Sequence, residues 1–194
     1  DIVITAPVTC TTPTKTFGVT ATSTSVCSGG TTTIGLSGAQ TGVTYQLYNG
    51  SSPVGAALAG TGGALNFGPM TATGTYSVVA TDAVTGCVAA MPGTASVGVN
   101  TTPVVYAVTG GGSYCTGSTG VHVGLSGSNS GVNYQLYRGS VAAGAPVAGT
   151  GSDLDFGIMT VAGTYTVRAT DAVSSCSSNM SDQADVVINS LPSV

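Results

Sequence analysis

The side chains with chemistry to offer are few: five cysteines, one histidine and seven carboxylates, all of them Asp. Cys27 and Cys87 stand 60 residues apart (87 − 27), and Cys115 and Cys176 stand 61 apart (176 − 115). There is no C-x-x-C, and with one His the clustered Cys and His of a zinc site are missing. Sulfur chemistry here therefore means disulfides in an oxidising compartment, which reads as an extracellular protein. Two near-equal separations point to one bond in each half of the chain, Cys27–Cys87 and Cys115–Cys176, each contributing about 4 kcal/mol by loop closure. Free buried thiols are the alternative, since spacing does not fix connectivity. Cys10 is left over, and an odd cysteine in a secreted chain reads as an intermolecular bond or a free thiol.

No other constellation reaches catalysis. His122 has no second His, Cys or Glu with which to make a triad or a metal site, and it reads as a solvated surface residue. Asp82 and Asp171 each sit in Thr-Asp-Ala-Val, where a short carboxylate bonds its own backbone in a turn. Asp153 and Asp155 flank Leu154, a spacing that two-carboxylate sugar hydrolysis could use. The matching positions in the first half are Ala64 and Asn66, so the pair reads as a polar strand face. The Gly-rich tracts 60–63 and 110–112 are followed by neither Lys nor a helical pattern, and they read as turns rather than phosphate loops. We therefore expect no enzyme, no metal and no cofactor.

These residues hang on a repeated strand. Gly74-Thr75-Tyr76-Ser77-Val78-Val79-Ala80-Thr81-Asp82 returns as Gly163-Thr164-Tyr165-Thr166-Val167-Arg168-Ala169-Thr170-Asp171, an offset of 89 (163 − 74). Tyr76, Val78 and Ala80 point one way and their neighbours the other, the mark of a strand with one buried face. Gly35, Tyr45, Tyr48, Gly60, Phe67, Cys87 and Met91 recur at Gly124, Tyr134, Tyr137, Gly149, Phe156, Cys176 and Met180, so the chain carries one domain twice. Each copy offers about seven short strands with turn signals between them, the pattern of a β-sandwich. Inward positions include Ile34, Leu36, Val43, Tyr45, Leu47, Ala95 and Val97. Tyr48 and Tyr137 point the opposite way from Tyr45 and Tyr134, which marks them as candidate surface contacts, for a sugar or a partner.

Composition narrows the partners. Lys and Arg together number 3, net charge is −4 and charged residues make up 5% of 194. Three scattered cations cannot neutralise a phosphate backbone, so nucleic acid is excluded. No run of about 18 apolar residues offers a membrane span. Thr, Val, Tyr, Gly and Ser dominate, the composition of strands and turns.

The segment Gly74-x-Tyr76-x-Val78-x-Ala80 resembles strand F of immunoglobulin-type sandwiches. Val78 and Val167 occupy the place of that family's cysteine, and the chain has no Trp. A closer resemblance rests on Gly163-Thr164-Tyr165-Thr166-Val167, Ala169-Thr170-Asp171, Cys176 and the early Cys115-x-Gly117. It is similar to immunoglobulin-like repeats of large secreted and surface proteins of Bacteroidota, including the gliding-motility adhesin type and other type IX secretion cargo. The resemblance implies an extracellular structural or adhesive role and no active site.

The expected organisation is all-β: residues 1–13 as a leading strand and connector, 14–102 as the first immunoglobulin-like repeat and 103–194 as the second, joined by a stiff Pro-containing link. Ile2, Val3 and Ile4 resemble the final strand, 185–189, so they read as the end of a preceding repeat or as a strand donated to a neighbour. The function expected is a segment or subunit of a surface filament or adhesin that associates with copies of itself. The alternatives are a glycan- or protein-binding module and the spacer of a larger secreted enzyme.

Overall fold

A computed structural model describes residues 9–192; Ile2, Val3 and Ile4 lie outside the described residues. The chain divides into two compact units, Asp1–Asn100 and Thr101–Val194. Each is a sandwich of two sheets, so the fold is two tandem immunoglobulin-like domains.

In the first unit, β1 (Val19–Ala21), β3 (Thr32–Leu36) and β6 (Leu65–Met70) make a sheet of order β1-β3-β6. The facing sheet runs β2-β9-β7-β4-β5, from β2 (Ser25–Cys27), β9 (Ala95–Asn100), β7 (Gly74–Asp82), β4 (Val43–Asn49) and β5 (Ser52–Ala59), with β8 (Val88–Ala90) also on β7. β2 joins β9 in parallel, Cys27 opposite Asn100. The alternation read in the sequence sets the packing: Tyr76, Val78 and Ala80 are buried between the sheets with Ile34, Leu36, Tyr45, Leu47 and Val97. Val78 is fully buried, and apolar contact does there what a sulfur bridge does in antibody domains.

The second unit repeats the plan. β10 (Val108–Gly110), β12 (Val121–Leu125) and β16 (Leu154–Met159) form one sheet. β11 (Gly112–Cys115), β19 (Ala184–Asn189), β17 (Gly163–Asp171), β13 (Val132–Arg138) and β14 (Val141–Ala142) form the other, with β15 (Val147–Ala148) on β13 and β18 (Ser177–Asn179) on β17. Val167, Tyr165, Ala169, Leu136 and Leu125 fill its core.

Buried tyrosines spend their hydroxyls on backbone, as a polar tip inside a core must. Tyr76 donates to the Ala72 carbonyl at 2.9 Å and Tyr165 to that of Val161 at 2.8 Å, the tyrosine corner of this sandwich class. Tyr45 and Tyr134 instead accept, from the N–H of Gln40 at 2.8 Å and Asn129 at 2.9 Å. Gly60 and Gly149 recur because the backbone passes close by. A Cβ would lie 1.9 Å from the Gln40 carbonyl oxygen in one copy and 2.0 Å from that of Asn129 in the other.

Three elements differ from expectation. The Gly/Ala-rich stretch after Gly50 holds β5, an eight-residue edge strand that shows no alternation. β2 and β8, each three residues long, carry too short a pattern to be read from sequence.

Candidate functional site

The cysteines are positioned by the two ends of the central strands. At one end, Asp82 closes β7 and organises the turn after it. Its Oδ1 accepts the Thr85 N–H at 2.7 Å, the Thr85 hydroxyl at 2.9 Å and the Val84 N–H at 3.1 Å. The Thr85 N–H, then its hydroxyl, hold the Asp82 carboxyl below its ordinary value. The turn brings the Cys87 carbonyl back onto the Asp82 N–H at 2.9 Å, fixing the cysteine beside the end of β7. Asp171 builds the same turn from Ser174 and Val173, lowered by the same donors, and Cys176 returns to Asp171 at 2.8 Å.

The other cysteine of each copy stands at the opposite end. Gly74, the first residue of β7, pairs with Val97, and β9 runs three residues further to Asn100, which faces Cys27. Cys27 is thus level with a point three residues before β7, while Cys87 is level with its last residue. The gap is eleven residues of extended chain, roughly 36 Å. In the second copy Gly163 pairs with Val186 and Cys115 with Asn189, so Cys115 and Cys176 are separated in the same way.

A disulfide needs its Cα atoms within about 7 Å, which corrects the pairing expected from spacing. Cys87 is bonded not to Cys27 but to Cys10, with Cα atoms 5.7 Å apart. Cys115 is not bonded to Cys176; it is a free, exposed thiol. Cys27 and Cys176 are each disulfide-bonded. Cys10, open in sequence to an intermolecular bond or a free thiol, is accounted for within its own unit. Equal separations along the chain reported that the copies are alike, not that the two sulfurs meet.

The remaining candidates separate. His122 is exposed but not alone: its Nδ1 lies 2.8 Å from Asp155 Oδ2. The Gly157 N–H first, then His122, hold the Asp155 carboxyl below its ordinary value. A bulge on β16, where Phe156 and Gly157 stand opposite Val123 of β12, accompanies this pairing, and no residue pattern announced it. Asp153 is exposed and precedes β16. Among the described residues no group of three His, Cys, Asp or Glu side chains is placed to hold a metal, and no helix is long and apolar enough to cross a membrane. Tyr48 and Tyr137 are half-buried on the outer sheet face, and Tyr137 lines a shallow hollow of about 200 Å3 with Thr166, Arg168 and Asn179.

The second copy also has a cleft of about 320 Å3, lined by Val141, Ala143, Phe156, Ile158, Met159 and Val161 among others. It lies beside β14, where the edge strand is interrupted.

Residues 13–103 match the family described as "Ig-like domain CHU_C associated". The match covers the first copy, and the second copy repeats many residues of the first at the offset of 89. Solved structures that the chain is similar to are distant. A mouse coronavirus receptor-binding domain complexed with its murine receptor aligns at 14% identity and TM-score 0.49, over 89% of this chain and 100% of that one. Murine CEACAM1b aligns at 16% and 0.44, over 89% and 100%. Fibronectin(III)-like modules of Clostridium thermocellum CbhA align at 14% and 0.43, over 88% and 94%. At such scores the likeness carries no argument about binding. Among curated proteins no sequence matches.

Proposed function

We propose that the chain is a non-catalytic structural segment of an extracellular surface protein, built to extend and to associate with copies of itself as part of a filament or large adhesin of the Bacteroidota type. The observation that carries this reading is the placement of sulfur: each copy is a sandwich with Cys27 or Cys115 at one end and Cys87 or Cys176 at the other, where covalent continuity along a series of such domains is useful. With only 5% of the chain charged, neighbours can pack while burying few unpaired ions. The disulfides fit an oxidising, extracellular setting. Electron microscopy of the native material tests it: ordered fibres built from this repeat support the reading, and dispersed monomers contradict it.

One observation favours a second reading, a glycan- or protein-binding module. The hollow beside Tyr137 gathers an aromatic ring with Arg168 and Asn179, groups that suit a sugar face and its hydroxyls. Saturable binding on a glycan array that is lost in Tyr137→Ala would favour it over the structural role. The spacer of a larger secreted enzyme would show instead in the gene, as a catalytic domain on the same polypeptide.

A further inference from the structure

We propose that the outer sheet face of the second copy binds a sugar that carries an acidic group, with Arg168 taking the anion and Tyr137 and Asn179 taking the ring and its hydroxyls. This rests on the binding-module reading and names the ligand class of that hollow. Three residues set the two copies apart on this face. Val79, Val88 and Ala90 of the first copy stand where the second has Arg168, Ser177 and Asn179. Around them the face is kept: Gln46, Tyr48 and Ser77 correspond to Gln135, Tyr137 and Thr166. The strand registers match as well. Val79 faces Ala90 and Gln46, and Arg168 faces Asn179 and Gln135. Both glutamines spend their amides on neighbouring backbone carbonyls. One frame thus carries an apolar patch in the first copy and a cluster of polar donors in the second.

The donors converge on the hollow. Asn179 stands directly opposite Arg168, and Tyr137 lies on the diagonal, positions about 5 Å and about 7–8 Å apart in an antiparallel sheet. Arg168 Nη2 donates to the Ser177 hydroxyl at 2.7 Å, which holds the guanidinium against the face. Among the described residues no carboxylate pairs with Arg168, so its remaining N–H groups are open to an anion. Among the described residues, too, neither the Tyr137 hydroxyl nor the Asn179 amide has a hydrogen-bond partner.

A sugar acid answers each of these groups. A carboxylate or sulfate accepts the paired N–H bonds of a guanidinium. An amide donates to and accepts from ring hydroxyls, and a tyrosine offers an apolar body with a polar tip. The hollow of about 200 Å3 is smaller than the roughly 300–1,000 Å3 of sites that enclose a drug-sized ligand. It therefore seats one sugar residue of a chain that runs on over the open face. An acidic peptide would engage Arg168 but offers no hydroxylated ring to Tyr137 and Asn179.

The test is calorimetric titration of the full chain with four probes: an oligogalacturonate, a sulfated galactan oligosaccharide, a neutral galactan oligosaccharide and an oligoglutamate peptide. At least one acidic sugar binds at one site per chain, and which of the two binds tells carboxylate from sulfate. The neutral sugar binds about tenfold more weakly or worse. Arg168→Val, which installs the first copy's residue, lowers affinity by about tenfold and leaves the thermal midpoint unchanged. Transplanting the cluster, as Val79→Arg with Val88→Ser and Ala90→Asn, raises the sites per chain from one to two. The proposal is overturned if neither acidic sugar binds at millimolar concentration, if Arg168→Val is without effect, if a folded transplant gains no site, or if oligoglutamate binds as tightly as the sugars. A neutral sugar bound as tightly as the acidic ones, and lost in Tyr137→Ala, leaves the module reading standing and sinks the acid. Failure to bind any sugar sinks both.

Discussion

The two copies agree in their cores and part at one edge. In the first, β5 runs from Ser52 to Ala59 and pairs with β4 at 52–54 and at 58–59, with residues 55–57 bulging between. In the second, the corresponding stretch is two strands of two residues, Val141–Ala142 and Val147–Ala148. Pro146 stands where the first copy has Ala57, inside a stretch that pairs with the neighbouring strand in neither copy, so a residue with no N–H is tolerated there. Pro53 in the first copy falls near the start of its edge strand and is tolerated. Beside this edge the second copy has its cleft, next to Phe156, Ile158 and Val161, and Val141 is exposed there as Ser52 is in the first copy. The frame is insensitive to this because no buried core residue comes from either edge strand.

That contrast can be broken most sharply at the shared core. Leu47→Ala and Leu136→Ala, at matching buried positions, should each cost about 2–5 kcal/mol, and by similar amounts in denaturant unfolding of the two copies. A large inequality would mean that the edge difference reaches the core. Next in size is the tyrosine corner. Tyr76→Phe and Tyr165→Phe each remove one hydrogen bond to backbone and should cost about 1 kcal/mol, equally in both copies, read by thermal unfolding. At the edge itself the copies should separate: amide exchange across 141–148 should outrun that across 52–59, because fewer of its groups are paired. Equal protection would contradict the difference in pairing between the two edges.

Acid should then act on both copies alike. Asp82 and Asp171 have folded-state pKa values lowered below the ordinary carboxylate value by their turn donors. The stability they contribute is present above that ordinary value, near 3.8, and is lost as pH falls through the lowered folded values. Asp82→Asn should flatten this acid loss in the first copy only, in a pH series of unfolding midpoints. The smallest effect belongs to His122 and Asp155. They are exposed, and His122→Thr, which restores the residue at the first copy's position 33, should change stability by less than about 1 kcal/mol.

How much of this was legible in the sequence depended on pattern length. β7 and β17, nine residues each with strict alternation, announced themselves and with them the fold. Asp82 and Asp171 declared their turns, because a short carboxylate after a strand has few other uses. β5 stayed hidden because an edge strand of Gly, Ala and Ser has no buried face to alternate. The cysteine pairing failed for a related reason. It depends on which end of the sandwich β2 occupies, and that follows from a three-residue parallel pairing with β9 rather than from any periodicity. The His122–Asp155 contact needed a bulge in register that side-chain types do not encode.

The central claim is that Cys27 and Cys87, and likewise Cys115 and Cys176, stand at opposite ends of their sandwich and do not bond each other. Proteolysis of the monomer without reductant, followed by mass spectrometry of the linked peptides, tests it directly. The account predicts a Cys10–Cys87 peptide and an alkylated Cys115. Recovery of Cys27–Cys87 or Cys115–Cys176 would contradict it.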